Sequence, residues 1–246
     1  MEKIKKTLSF SSFNEQQVIR TFDLKQERKI NLLSDWQGRA EAISLAEVEK
    51  ERLKELHQRL NLFVRGWNEE ELKLKFIGPI IELVAFDNFE LEIIAFSERP
   101  ISMQFGDTQV KGIVDTMVAK GLYAPEQPFF FIHVKHSEIP KFGEYKREQE
   151  STGDPLGQLL ATMVVAQKLN EEPQNLSLFQ NELKDYSTLP ISGVYVLGRT
   201  WIFVILEDNQ YHLSKSYDST DLEDLFEIVK LLKAQKEIIL EIMRRE

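Results

Sequence analysis

Two neighbouring apolar segments carry side chains suited to acid–base or electrostatic chemistry. A largely β-branched run over 108–119 contains Asp115, and a short aromatic run over 128–135 ends with His133 and Lys135. Both runs predict strands. Because side chains two apart on a strand share a face, His133 and Lys135 emerge together, and pairing of the two strands puts Asp115 beside them. The spacing indicates an acid, an imidazole and a lysine converging at the end of a hydrophobic sheet.

The same residues also fit a purely structural interpretation. Half-exposed strands often carry a lysine and a histidine on their solvent face, and an acid after a strand is often a turn residue. In a generic α/β domain, Asp115, His133 and Lys135 would never meet. Whether the three residues form a site therefore depends on the elements that are predicted around them.

The chain before residue 68 predicts a short strand or extended arm and then a short helix near 14–22. Apolar residues then recur at helical spacing over 39–65, which predicts one long amphipathic helix ended by Gly66. Its charged residues indicate a solvated face, and pairing with a second copy of the chain is the alternative.

A second helix is predicted from Asn68, a good N-cap residue, to about residue 86, with a kink at Pro79. This helix is apolar nearly all round, so an acid such as Glu82 within it is unexpected. Burial of Glu82 would cost several kcal/mol unless it were paired, for example with Lys135, or lined a pocket. Alternatively, Glu82 lies on the one wet stripe of the helix.

The remaining pattern predicts more strands and two more helices. Asp154 and Pro155 open a helix as N-cap and first residue, and Gln158 in its first turns either reaches the sheet edge or faces solvent. A polar loop over 136–152 precedes this helix. The predicted strands are 89–96, 100–105 (followed by a Gly106-Asp107 turn), 191–197, 201–206 and 211–217, and the last helix is 220–245.

The composition of the chain limits the classes of function that it can have. With 246 residues, a net charge of −9 and no cysteine, the chain predicts an acidic globular unit without a disulfide scaffold, a thiol nucleophile or a thiolate zinc site. We expect no membrane span and a cytoplasmic location, because no long apolar run occurs. The acidic balance argues against a bulk nucleic-acid footprint but leaves room for a local one.

The order of elements resembles the PD-(D/E)xK nuclease superfamily, the restriction-endonuclease-like fold, over roughly residues 68–245. The resemblance implies an α/β (α+β) fold with a core of order αβββαββ, a long C-terminal helix, and residues 1–67 as an N-terminal arm and long helix packed on the 68–246 core. The segments that carry it are Phe76 to Glu82, Gly112 to Asp115, Phe131 to Lys135, Asp154 to Leu160, and Gly198 to Trp201.

The resemblance also implies a metal-dependent nuclease that hydrolyses phosphodiesters. Asp115 would hold Mg²⁺ or Mn²⁺, Lys135 would be the catalytic lysine, and Glu82 and Gln158 would be auxiliary site residues, Glu82 also within reach of the metal. Nucleic acid, DNA rather than RNA, would be the partner, and a homodimer is possible.

One position departs from the family pattern. His133 stands where the second acid belongs, and imidazole is a poor ligand for Mg²⁺ although an acceptable one for Mn²⁺. Three hypotheses follow: a softer metal is used, an acid of the loop such as Glu138 or Glu144 completes the site, or the domain is inactive and serves nucleic-acid or protein binding.

Overall fold

An eight-stranded mixed sheet runs through the computed structural model of the chain, which describes residues 6–135, 154–171 and 189–244. The strands are β1 (Lys6–Ser9), β2 (Lys25–Gln26), β3 (Ile93–Phe105), β4 (Thr108–Lys120), β5 (Gln127–Lys135), β6 (Ile191–Leu197), β7 (Thr200–Glu207) and β8 (Gln210–Asp218). Their spatial order is β1-β4-β5-β6-β7-β8-β2, and β3 pairs with β4.

The helices flank this sheet. They are α1 (Glu15–Phe22), α2 (Ser34–Ala42), α3 (Glu47–Phe63), α4 (Glu69–Leu72), α5 (Gly78–Val84), α6 (Pro155–Glu171) and α7 (Leu222–Arg244). A 3₁₀ turn, Phe10–Ser12, follows β1, and a π-helical turn, Lys73–Ile77, joins α4 to α5. The prediction of a mixed α/β protein with a long C-terminal helix is therefore confirmed.

Strand directions follow from the lengths of the connections. The hairpin between β3 and β4 and the short link from β4 to β5 give antiparallel pairs. β5 and β6 are parallel, with α6 in the connection between them, as parallel neighbours require a long crossover. β6, β7 and β8 form an antiparallel meander.

Each face of the sheet carries its own hydrophobic core. On β5, Phe130, Ile132 and Val134 face a core built with α2, α3, α5 and α7. Phe131 faces the other core, with α1 and α6. The period-2 alternation of a strand puts His133 and Lys135 on the side of Phe131. Residues before position 68 contribute to both cores.

Trp36 of α2 packs inside the first core and joins α2 to α7. Its ring packs edge-on against Phe130 and Phe203, and its indole N–H donates a 2.7 Å hydrogen bond to the carbonyl of Leu231 in α7. A buried tryptophan needs such an acceptor for its single donor. The N-terminal segment is thereby tied to the C-terminal helix on the same face of the sheet.

The predicted single helix over 39–65 is wrong. α2 ends at Ala42 and α3 begins at Glu47, because Ile43 and Ala46 are extended and the chain turns to bury Leu45. The Glu49 carboxylate accepts a hydrogen bond from the backbone N–H of Ala46 and restarts the helix. This break has no glycine or proline to mark it in the sequence.

The predicted pair of strands over 89–96 and 100–105 is also wrong. Phe89 is exposed in a turn closed by the Asn88 side chain, which accepts from the N–H of Leu91, so β3 starts only at Ile93. It then continues past Pro100 as one strand. In the described ranges β3 pairs only with β4, and an edge strand tolerates proline because its outer N–H groups need no ladder partner.

Pro79 produces a wider turn rather than a simple kink. The N–H of Gly78 bonds to the carbonyl of Lys73, five residues back, instead of the usual four. Proline lacks an N–H and its ring clashes with the carbonyl four residues earlier, so a π-helical turn relieves the helix just before it. Lys73 is the first residue of this turn.

No described helix is long and apolar enough to cross a membrane.

Gly157 lets α6 lie directly against the start of α1. A Cβ at this position would overlap the backbone of Asn14, which cannot move without shifting α1. We expect Gly157→Ala to lower the free energy of unfolding by about 1–3 kcal/mol, the usual cost of overpacking. Urea titration followed by circular dichroism measures this.

Gly38 is the matched control, because it lies inside α2 with no atom within 4 Å of an added Cβ. Gly38→Ala should raise the free energy of unfolding by about 0.5–1 kcal/mol, since alanine is the better helix former. Equal effects of the two substitutions would contradict the close approach of α1 and α6.

Candidate functional site

Asp115 lies in a gap between two strand pairings on one edge of β4. On the same edge of β4, β1 pairs with residues 108–111 and β5 pairs with residues 116–120, so Asp115 falls between the two ladders. The Asp115 carboxylate compensates for the missing main-chain partner. Its Oδ2 accepts a 2.9 Å hydrogen bond from the backbone N–H of Val134.

His133 is the neighbour of Asp115 across this opening. Its Nδ1 lies 2.9 Å from Asp115 Oδ2, and only the nitrogen can donate to a carboxylate. Nδ1 therefore carries a hydrogen, and the tautomer is set by Asp115. The other ring nitrogen, Nε2, is buried and has no partner among the described residues. The structure thus brings Asp115 and His133 together.

Lys73 reaches Asp115 from the π-helical turn. Its Nζ lies 2.6 Å from Asp115 Oδ1, and the two side chains are only 18% and 13% exposed. Three further carboxylates surround the same ammonium: Glu69 at 3.2 Å, Glu98 at 3.3 Å and Glu70 at 3.4 Å. The residues Glu69, Glu70, Lys73, Glu98 and Asp115 are called the Lys73 cluster below.

The backbone at Glu98 shapes the cluster. Its φ of 50° is left-handed, and the β3–β4 register has no pair between Glu98 and Asp115 although the pairs on either side are present. A non-glycine residue with positive φ is uncommon and locally strained. The regular β3–β4 ladder is interrupted at this position, and the side chains of Glu98 and Asp115 both contact Lys73.

Asp115 and Lys73 each shift the pKa of the other. Burial alone would raise the pKa of Asp115, but the hydrogen bond and electrostatic interaction with His133, then Lys73 and the Val134 N–H, hold that pKa well below its ordinary value. Burial would likewise lower the pKa of Lys73, but Asp115 and then Glu69 raise it well above its ordinary value. Asp115 is therefore ionised and Lys73 charged at neutral pH.

Lys135 lies at the margin of this arrangement. Its Nζ is 3.7 Å from Glu69 Oε2, and its side chain is 30% exposed. The lysine shares a carboxylate partner with Lys73. The sequence predicts Lys135 beside Asp115, but the two form no direct ion pair in the part of the chain that is described. Glu69 pairs with both Lys135 and Lys73, and Lys73 pairs with Asp115.

The two other predicted site residues lie elsewhere. Glu82 is exposed on α5, and within the described ranges no ion pair joins it to Lys135 or to the Lys73 cluster. The structure thus agrees with the wet-stripe interpretation of Glu82. Gln158 is 5% exposed rather than solvent-facing, and its Nε2 is buried without a partner among the described residues. Glu138 and Glu144 lie outside the described residues.

Sequence reasoning missed Lys73, Glu69 and Glu98. The run Asn68-Glu69-Glu70-Glu71-Leu72-Lys73 has the appearance of a capped, solvated first helical turn, and Asn68 does cap α4. Pro79 indicates an irregular helix after Lys73, but no residue of the run indicates that Lys73 turns inward. Glu98 lies between the predicted strands 89–96 and 100–105, which hides its place opposite Asp115.

The metal implied by the resemblance does not fit these residues. Both oxygens of Asp115 are already engaged, Oδ1 by Lys73 and Oδ2 by His133 and Val134. In the described ranges no group of three or more histidine, aspartate or glutamate side chains is arranged to hold a metal ion. A divalent cation at Asp115 would have to displace the Lys73 ammonium.

A scan against protein-family models gives no match for the chain, and a search of the curated proteins gives none either.

Asp115→Asn tests the ion pair. At pH 7 the substitution should lower the free energy of unfolding by about 2 kcal/mol, because charged hydrogen bonds to Lys73 are lost. A depressed folded-state pKa gives stability that is present above the ordinary pKa of about 4 and is lost as pH falls. The gap between wild type and variant should therefore shrink as pH is lowered below about 4, as measured by urea titration at each pH.

Glu82→Gln serves as the control, since it neutralises an exposed acid that pairs with none of the described residues. It should change the free energy of unfolding by less than about 0.5 kcal/mol. An Asp115→Asn effect that stayed constant down to pH 2 would contradict the assignment.

Proposed function

We propose that this chain is a nuclease-like domain of the PD-(D/E)xK type that no longer cleaves phosphodiesters and serves binding instead. The observation that carries this proposal is the engagement of Asp115 by Lys73 at 2.6 Å and by His133 Nδ1 at 2.9 Å. The residue that would hold the metal is committed to contacts within the protein.

The order of elements supports the fold assignment. The helical stretch 69–84, then β3, β4 and β5, then α6 and β6 follow the order αβββαβ, with β5 and β6 parallel. Asp115 lies beside the start of the β4–β5 ladder, and His133 and Lys135 lie at the end of β5, which supports assigning them the roles of the family's acid, second acid and lysine. Fold alone does not carry activity, so function is argued from the side chains.

The charges favour a protein ligand over nucleic acid. The chain has a net charge of −9, and four carboxylates surround the Lys73 ammonium. Binding to a phosphate backbone relies on unpaired lysines and arginines that release counterions. Lys73 and Lys135 are both paired with acids in this region, so they do not offer free positive charge.

A metal-dependent nuclease is the second candidate. Lys135 lies two residues beyond His133 on the same face of β5, and the His133 Nε2 has no partner among the described residues. Imidazole suits Mn²⁺ better than Mg²⁺, so activity of this kind would favour Mn²⁺. In this candidate Mg²⁺ or Mn²⁺ is the cofactor and DNA rather than RNA the substrate. A cytoplasmic location and a homodimer remain predictions under both candidates.

Cleavage assays separate the two candidates. Plasmid DNA, single-stranded DNA and single-stranded RNA are incubated with wild type in Mg²⁺ and in Mn²⁺, and products are resolved on gels. We expect no cleavage above that of Asp115→Asn, because Lys73 and His133 hold both oxygens of the carboxylate.

Glu51→Gln is the matched control, since it carries the same charge change as Asp115→Asn at an exposed position of α3. Cleavage by wild type and by Glu51→Gln that Asp115→Asn abolishes would overturn the proposal and establish the nuclease.

A further inference from the structure

A cleft of about 350 Å³ lies between α2, α7 and β8. Ala40 and Leu231 contribute apolar surface to it, and Glu41, Tyr217 and Glu227 contribute polar groups. None of the described residues that line this cleft belongs to the Asp115 site. Its volume is at the lower end of the range of small-molecule sites, which is about 300–1,000 Å³. The cleft is therefore large enough for a ligand of the size of a long side chain.

The hydroxyl of Tyr217 is a polar group of the cleft without a partner. Tyr217 is only 5% exposed, and its ring packs edge-on against Phe203 in the core. Its hydroxyl makes no hydrogen bond to another described residue. Burial raises the pKa of Tyr217, and the charges of Glu227 and then Asp224 raise it further, so the hydroxyl keeps its proton at neutral pH. Because the hydroxyl of a buried tyrosine usually has a partner, this one is available to a ligand.

The charges around the cleft favour a cation. Glu41 lies in the last turn of α2 and forms no ion pair with a described residue. Glu227 pairs through Oε1 with Lys230 Nζ at 2.8 Å, and its Oε2 has no partner in the described ranges. The last turn of α2 also carries the negative end of the helix dipole. The cleft therefore presents negative charge that the neighbouring lysines do not fully balance.

A cation of the chain itself already contacts Tyr217. The Nζ of Lys215 lies 4.6 Å from the centre of the Tyr217 ring, within the range of a cation–π contact. The carboxylate partner of Lys215, Asp224, is 3.7 Å away, and the Lys215 side chain is 66% exposed. Such an exposed ion pair contributes little stability, so another cation can displace the lysine.

We propose that this cleft binds an organic cation, a guanidinium or ammonium group at the end of an aliphatic chain. The charged group donates hydrogen bonds to the carboxylates of Glu41 and Glu227 and to the hydroxyl oxygen of Tyr217. The aliphatic chain packs on Ala40 and Leu231. Arginine and lysine side chains of a partner protein carry such a group, and so do free amines. This site does not depend on the proposed function.

NMR titration of the isotope-labelled full chain tests the site. The probes are N-acetyl-arginine methylamide and N-acetyl-lysine methylamide, and N-acetyl-norleucine methylamide serves as the uncharged probe. The cationic probes should shift the amide signals of residues 40–42 and 215–217, and the uncharged probe should bind at least about threefold more weakly. Equal binding of the uncharged probe, or no shift at these residues with either cation, would overturn the proposal.

Two substitutions test the groups that bind the cation. Tyr217→Phe removes only the hydroxyl and keeps the ring against Phe203, so the chain should stay folded and bind the arginine probe about threefold to tenfold more weakly. Glu41→Gln, at an exposed position, should weaken the same binding about threefold. Unchanged affinity in both variants would contradict the site.

Glu51→Gln is the matched control for Glu41→Gln, because it makes the same charge change at an exposed position of α3 outside the cleft. It should leave the affinity for the arginine probe unchanged. A loss equal to that of Glu41→Gln would indicate a general charge effect and would also overturn the proposal.

Lys215→Gln tests the competition between the chain's own cation and the ligand. Because it removes the ammonium that lies over Tyr217, it should strengthen binding of the arginine probe about twofold. Weaker binding by this variant would contradict a cation site.

The two sources of the cation differ in their peptide groups. n-Propylguanidine has the end of an arginine side chain without a backbone, and it is compared with N-acetyl-arginine methylamide on wild type. Tighter binding of the blocked amino acid would assign the site to a side chain of a partner protein, and equal or tighter binding of n-propylguanidine would assign it to a free amine. Binding of neither would overturn the proposal.

Discussion

The ion pair between Lys73 and Asp115 is the constraint on which the site depends. It joins the π-helical turn to the middle of β4, at the one place where β4 has left β1 and has not yet reached β5. A partly buried carboxylate there is costly unless its oxygens are satisfied. Lys73, His133 and the Val134 N–H satisfy them. The carboxylate thus supplies a hydrogen-bond acceptor for β5 at the gap between the two strand pairings of β4.

This arrangement changes what the site can do chemically. In a metal-dependent hydrolase the acids hold an ion that activates water and neutralises the phosphate. An ammonium supplies positive charge but has no vacant coordination position for a water or a substrate oxygen. The same carboxylate can thus stabilise the fold without activating water, and under the proposed function His133 stands in place of a second acid.

The sequence predicted β4 and β5 well because their signal is local. The β-branched run of β4 and the aromatic run of β5 predicted both strands, and the period of a strand predicted the shared face of His133 and Lys135. The helix break at residues 43–46 and the Lys73 contacts depend on tertiary packing. No helix propensity indicates that Leu45 turns inward, and Lys73, close behind three glutamates, has the pattern of a solvated lysine.

The engagement of Asp115 by Lys73 is tested by an anomalous difference map from crystals soaked in Mn²⁺, measured at the manganese edge. We expect no peak at Asp115, with Lys73 Nζ still within hydrogen-bonding distance of Oδ1. A manganese peak coordinated by Asp115, with the Lys73 side chain swung away, would contradict it.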